Sequence, residues 1–180
     1  DGHYRWTAPD ASKWKDRTFM GFHRSDGQVG TRNFWLVVPL VFCENRNVDY
    51  IRNAFMKKLG YAVPDAYEAL VGQLVDSYHR DALEGFQAGS PSSQSASNRL
   101  FPNLDGIKFL NHEGGCGGTR EDTNTLGELI AGYLNNPNVA GATILSLGCQ
   151  HIQTGILQEQ IKRKNPSFDK PVLYFEQQKY

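Results

Sequence analysis

With 180 residues the chain is long enough for one domain with a real core and short of two ordinary ones. Lysine plus arginine and aspartate plus glutamate each number 19, so no basic footprint invites nucleic acid, and no apolar run is long enough to span a membrane. Three widely spaced cysteines do not make a disulfide framework and the polar start carries no apolar signal segment, so a cytoplasmic, reducing location is the default reading.

Residues 1–20 contain Trp6, Pro9 and Trp14 without periodicity and read as a linker or surface arm ahead of a domain at 21–180. Residues 21–30 carry the Asp26-Gly27 turn signal between short stretches that pair as a hairpin. The apolar run FWLVVPLVF, residues 34–42, suits a strand buried on both faces, with Pro39 marking a bulge or a strand end. Asn47 is the expected cap of a helix that aligns Val48, Ile51, Phe55 and Leu59 before Gly60 stops it. A second helix is predicted over 65–86, where Ala66, Leu70, Leu74 and Tyr78 recur four apart. The small polar stretch 89–99 reads as a loop or lid.

The remainder alternates cleanly. GIKFLN (106–111) is a strand, 122–135 a helix and GATILSLG (141–148) a strand. A helix carrying Ile152, Ile156, Leu157 and Ile161 follows, then the strand PVLYFE (171–176). This order predicts an α/β fold: a three-layer, Rossmann-like, mostly parallel sheet with helices on both faces and an N-terminal hairpin or arm.

Ligands of open parallel sheets bind beyond the carboxyl ends of the strands. Cys43, Cys116 and Cys149 each follow such a strand and are the metal-ligand candidates, soft donors suited to iron or another borderline metal. The plainer reading of each is a small buried hydrophobe, and no CxxC spacing sharpens the case. The loop NHEGGCGGTRED at 111–122 holds Gly114, Gly115, Gly117 and Gly118, which let backbone N–H groups approach a carboxylate or phosphate just ahead of a helix. It fits neither a Walker loop nor a dinucleotide fingerprint. Thr119 with Asp122 reads as a helix cap. His112, Glu113 and His151 are the acid–base candidates. Arg24, Arg32 and Asn33 are substrate-binding candidates, the arginines as carboxylate clamps; Arg120 is read more simply as surface charge.

Three blocks in order carry a resemblance: GFHRSDGQVGTRNFW with PLVFCENRNV (21–35 and 39–48), HEGGCGGTREDT (112–123), and Ile130-Ala131-Gly132-Tyr133-Leu134 through Pro137-Asn138-Val139-Ala140-Gly141 to Leu147-Gly148-Cys149. Together they resemble the central domain of the altronate/galactarate dehydratase family, and ENRN after Cys43 looks closer to the altronate branch. The resemblance implies a sugar-acid hydro-lyase that converts altronate to 2-keto-3-deoxygluconate, with galactarate or a related hydroxy acid as the alternative substrate. It implies Fe2+, mononuclear or in an iron–sulfur cluster, with Mn2+ as an alternative. Cys43, Cys116 and Cys149 would surround the metal, His112 would act as base or ligand, and Gly114 to Gly118 would seat the substrate carboxylate. The implied partners are the sugar acid and flanking domains of the same enzyme, so this piece alone is expected to be incomplete; a homo-oligomer is left open. The rival classes are a non-catalytic small-anion-binding module and an assembly domain, the latter predicting an apolar patch around residues 1–20 or near Tyr180.

Overall fold

The computed structural model describes residues 5–62, 65–87, 89 and 99–179. Residues 5–20 run along the exterior with every side chain exposed. Then β1 (Phe22–His23) and β2 (Val29–Gly30) pair antiparallel, and Gly27 closes the turn between them at φ +84° with its N–H on the Arg24 carbonyl. The hairpin sits where the Asp-Gly signal predicts it.

The remaining strands are β3 (Phe34–Pro39), β4 (Gly106–Phe109), β5 (Val139–Ser146) and β6 (Val172–Glu176). They form one parallel sheet in the order β4-β3-β5-β6. Pro39 is the last residue of β3, so its missing N–H falls at the strand end. The irregularity in register lies at the other end, between Phe34 and Trp35.

Among the described residues four α-helices accompany the sheet: α1 (Asn45–Lys58), α2 (Ala66–His79), α3 (Arg120–Asn135) and α4 (Thr154–Lys164). A right-handed crossover puts its helix on one face or the other according to its direction of travel. The path from β3 to β4 runs one way, and α1 lies against those two strands. The paths from β4 to β5 and from β5 to β6 run the other way, so α3 and α4 share the opposite face and pack on each other. Their face holds the larger core, where Leu36, Val38, Ala142 and Ile144 meet Ile130, Leu134, Leu157 and Ile161. The α1 face has a smaller cluster around Val37, Ile107 and Tyr61. Among the described residues no helix is long and apolar enough to cross a membrane.

Some boundaries move for local reasons. α1 starts at Asn45 with Glu44 at its N-cap position, and Asn47, expected to be the cap, instead donates from Nδ2 to Glu44 Oε2 at 2.8 Å. α2 stops at His79 rather than running to Phe86, because the backbone turns left-handed at Asp81 (φ 55°). Apart from Gly89 and Arg99, the loop read as a lid lies outside the described residues.

The amino edge of the sheet is a polar weave. Asn138 Oδ1 accepts from the backbone N–H groups of Thr31 and Arg32, and Ser25 donates to Asp169 at 2.6 Å. Lys170 Nζ donates to the carbonyls of Leu134 and Asn136, tying the entry of β6 to the end of α3. Burial, with help from the nearby Arg24 cation and against the pull of Asp26 and Asp169, lowers the Lys170 ammonium to about 8 from its ordinary 10.5. Between those values the unfolded chain binds the proton that the folded chain has released, so stability rises with pH across that window. Urea unfolding at pH 7 to 10 should show wild type gaining on Lys170→Gln above pH 8; parallel pH profiles would contradict this.

Candidate active site

The chemistry gathers where three strands end. After β3 the chain makes a single 3-10 turn, Phe42–Glu44, with Cys43 exposed at its centre. Cys116 and Cys149, also free and exposed, lie in the loops after β4 and β5. Backbone hydrogen bonds join these loops: Phe42 N–H donates to Gly114 O at 2.9 Å, and His151 N–H donates to Gly115 O at 3.1 Å. The glycine loop is thus the middle member, bonded to the Cys43 turn on one side and to the Cys149 turn on the other.

Gly115 makes that stitching possible. Its φ is +97°, and a Cβ there would lie 2.2 Å from Leu40 O and 2.7 Å from Val41 Cα. Only a residue without a side chain can lie flat on the end of β3. Gly117 also has positive φ (73°) but faces open space, so it serves the turn and not a contact. The expected cap is present as a full capping box: Asp122 N–H donates to Thr119 Oγ1, and Asp122 Oδ2 accepts from Thr119 N–H. The Thr119 N–H bond first, and then the Thr119 hydroxyl, which donates to Asp122 Oδ2 at 2.9 Å, hold the Asp122 carboxyl below its usual range.

His112 is committed to this scaffold. Gly114 N–H donates to its Nδ1 at 3.1 Å, which leaves Nε2 as the protonated nitrogen, donating to Pro39 O at 2.7 Å. Both ring nitrogens are engaged, so the imidazole braces the loop and has no lone pair turned to a substrate. Glu113 and His151 lie at the same edge, and both are exposed. His151 lines a cleft of about 480 Å³ with Gly118, Arg120, Thr123, Asn124 and Ile156 at the start of α3. Arg120, read from sequence as plain surface charge, therefore belongs to this cleft.

Arg24, Arg32 and Asn33 are elsewhere. They precede β3 and lie at the amino edge, about 20 Å away at roughly 3.3 Å per strand residue. Arg24 donates to Pro137 O and to Asn33 Oδ1 at 2.8 and 2.7 Å. Asn33 N–H donates to Asp105 at 2.7 Å, and Arg32 forms an ion pair with the same carboxylate at 3.7 Å. These bonds brace strand entries, and the structure does not bring the three residues together with the glycine loop.

Residue type and motif do not single out Glu44 in the sequence. It is 1% exposed, and its Oε2 accepts from Asn47 and, at 3.3 Å, from Gln177 just after β6. Its Oε1 has no partner among the described residues, nor has Oδ1 of Asn45, whose Nδ2 donates to His112 O. The available signal is position: an acidic residue directly after an apolar strand, at the carboxyl edge. Nearby, buried Gln150 donates to Ser146 Oγ at 2.6 Å and accepts from Gly148 N–H, fixing the turn before His151.

The metal implied by the resemblance meets this geometry only in part. Three thiols at one edge are chemically suited to a soft or borderline ion. Yet among the described residues no three His, Cys, Asp or Glu side chains are arranged to hold one. In the geometry of this domain the sulfurs do not by themselves compose a metal centre.

The family model described as "D-galactarate dehydratase/Altronate hydrolase, second domain" matches residues 21–180. Over 151 residues, 84% of the chain, the sequence is 23% identical to an altronate dehydratase of Bacillus subtilis (strain 168) and 22% identical to one of Escherichia coli (strain K12). Those alignments span 22% and 23% of the two relatives, so the chain matches under a quarter of their length. No solved structure matches the chain.

The loop geometry gives a paired expectation. Gly115→Ala should cost roughly 2–5 kcal/mol in urea unfolding, from strain plus the clash with Leu40. Gly117→Ala, also positive in φ but unobstructed, should cost only about 1–2 kcal/mol. Equal losses would mean that the contact with β3 contributes nothing.

Proposed function

The chain belongs to the D-galactarate dehydratase/altronate hydrolase family, and on that premise we propose that it is the second domain of a sugar-acid dehydratase whose substrate is altronate or a close relative. The observation that carries the reading is local: the cleft at the start of α3 places an exposed imidazole, an arginine and a glycine loop on the edge where a parallel sheet presents its ligands.

The reaction has two demands. The hydrogen on the carbon beside a carboxylate is only weakly acidic, so its removal needs a base and a means of stabilising the negative charge that develops. The hydroxyl on the next carbon then leaves as water once protonated, and the resulting enol becomes the 2-keto acid. Arg120 supplies planar, bidentate donors for the substrate carboxylate. The N–H groups around Gly117 and Gly118, at the positive end of α3, add to that anion site. His151 is the proton-transfer group in this proposal, being an exposed imidazole on the cleft, whereas His112 positions the loop. Glu113 is the further carboxyl available as a proton carrier. The three thiols are proposed to contribute to a metal site completed elsewhere in the enzyme, and no step above is routed through it.

An assembly role is the second reading, favoured by the half-covered apolar face of the sheet.

The test is dehydration of altronate, followed by 2-keto-acid formation, in the full-length enzyme that carries this domain. His151→Ala should lower kcat about 10²- to 10⁴-fold. Arg120→Gln should chiefly raise KM, and Glu113→Gln reports on the second proton. Metal content of anaerobically purified wild type and Cys116→Ser is measured on the same samples. A His151→Ala enzyme with normal turnover would remove the assigned base, and no turnover of altronate or galactarate by wild type would remove the substrate class.

A further inference from the structure

Among the described residues, one face of the sheet is only half covered. On the α1 face, α1 reaches β3 and β4, while Leu173 and Phe175 of β6 are each 49% exposed. Beside α1 runs an apolar groove of about 560 Å³, bordered by Ile51 and Phe55 of α1 and floored by Trp35, Leu145, Leu173 and Phe175. Thr143, a polar side chain in its floor, is already satisfied, its Oγ1 accepting from Trp35 Nε1 at 3.0 Å. Among the described residues no charged side chain lines the groove, so neither an ionic partner nor a sugar acid suits it.

Topology explains why the described residues leave the groove bare. The crossover that travels from β3 towards β4 carries α1, and the two that travel towards β6 deliver α3 and α4 to the opposite face. Two strands at about 4.7–4.9 Å each span roughly the 8–10 Å at which helices in one layer pack, so β5 and β6 correspond to one more helix beside α1. α2 does not fill it; its Tyr67, Val71 and Tyr78 are exposed. The family match is to a second domain, and the curated relatives are more than four times as long as the matched segment, so further polypeptide of the same enzyme is at hand.

We propose that an amphipathic helix from another part of the same enzyme lies in this groove, antiparallel to the strands and alongside α1, and seals the second face of the sheet. Its apolar stripe, recurring at three- and four-residue intervals, contacts Trp35, Leu145, Leu173 and Phe175. The proposal rests on reading the chain as one domain of a larger dehydratase.

Single variants Leu173→Cys and Phe175→Cys report on the groove by peptide-resolved maleimide labelling, which separates them from the three native thiols. In the 180-residue chain both should label as exposed thiols; in the full-length enzyme labelling should slow at least about tenfold. Equal rates in the two proteins would overturn the proposal. Protection already present in the isolated chain, with a dimer seen by light scattering, would assign the groove to a second copy and overturn it too. Protection in the isolated chain that is lost on adding Val71→Lys would assign the groove to α2 and likewise overturn the proposal. Altronate turnover by the wild-type full-length enzyme is measured in parallel, so that failure of the functional reading is distinguished from failure of the docking proposal.

Discussion

Parallel pairing of β3 with both β4 and β5 constrains everything else in this domain. Parallel neighbours cannot be joined by a tight turn, so each pair requires a crossover that returns the chain to the same starting edge. All strand exits therefore collect at one edge and all entries at the other. The exits receive Cys43, the glycine loop, Cys149 and His151, while the entries receive the hairpin and its polar weave. Handedness then settles the faces, giving two helices to one side and α1 to the other.

Division of labour between the two edges follows from what each must satisfy. At the entries the backbone is locked by side chains with several partners: Asn138, Asp105, Arg24 and Lys170 each meet two or more groups. At the exits the locking is done by backbone and by His112, with Gly115 lying against β3. That arrangement leaves Glu113, Arg120 and His151 exposed there to what binds. Glu44 is the exception, a carboxylate sunk beneath the edge with one oxygen unpartnered among the described residues. An unpaired buried carboxylate oxygen is costly, and the bonds from Asn47 and Gln177 to the other oxygen offset only part of that.

Much of this is legible in the sequence because the signals are local. Asp26-Gly27 specifies a turn, the FWLVV run a doubly buried strand, and Thr119 with Asp122 a capping box. Local signals fail where a longer-range fact decides the outcome. Periodicity carries the second helix past His79, but the left-handed backbone at Asp81 ends it. Arg24, Arg32 and Asn33 resemble clamp residues by type, yet any residue just before a parallel strand lies at its entry edge, away from the loops that follow the strands. His112 looks free because a sequence does not reveal that a neighbouring amide and the Pro39 carbonyl occupy both nitrogens. Arg120 and Glu44 are undervalued for the converse reason, since exit-edge position outweighs ordinary residue-type expectation.

The placement of the three tryptophans has an optical consequence. Trp6 and Trp14 are exposed on the N-terminal arm, whereas Trp35 floors the apolar groove with its indole N–H held by Thr143. Two indoles thus report bulk water and one reports the groove. A change in groove hydration moves the emission of Trp35 alone, towards the blue as water leaves. The domain carries its own fluorophore for that surface, and replacing Trp6 and Trp14 with phenylalanine would isolate its signal without touching the sheet.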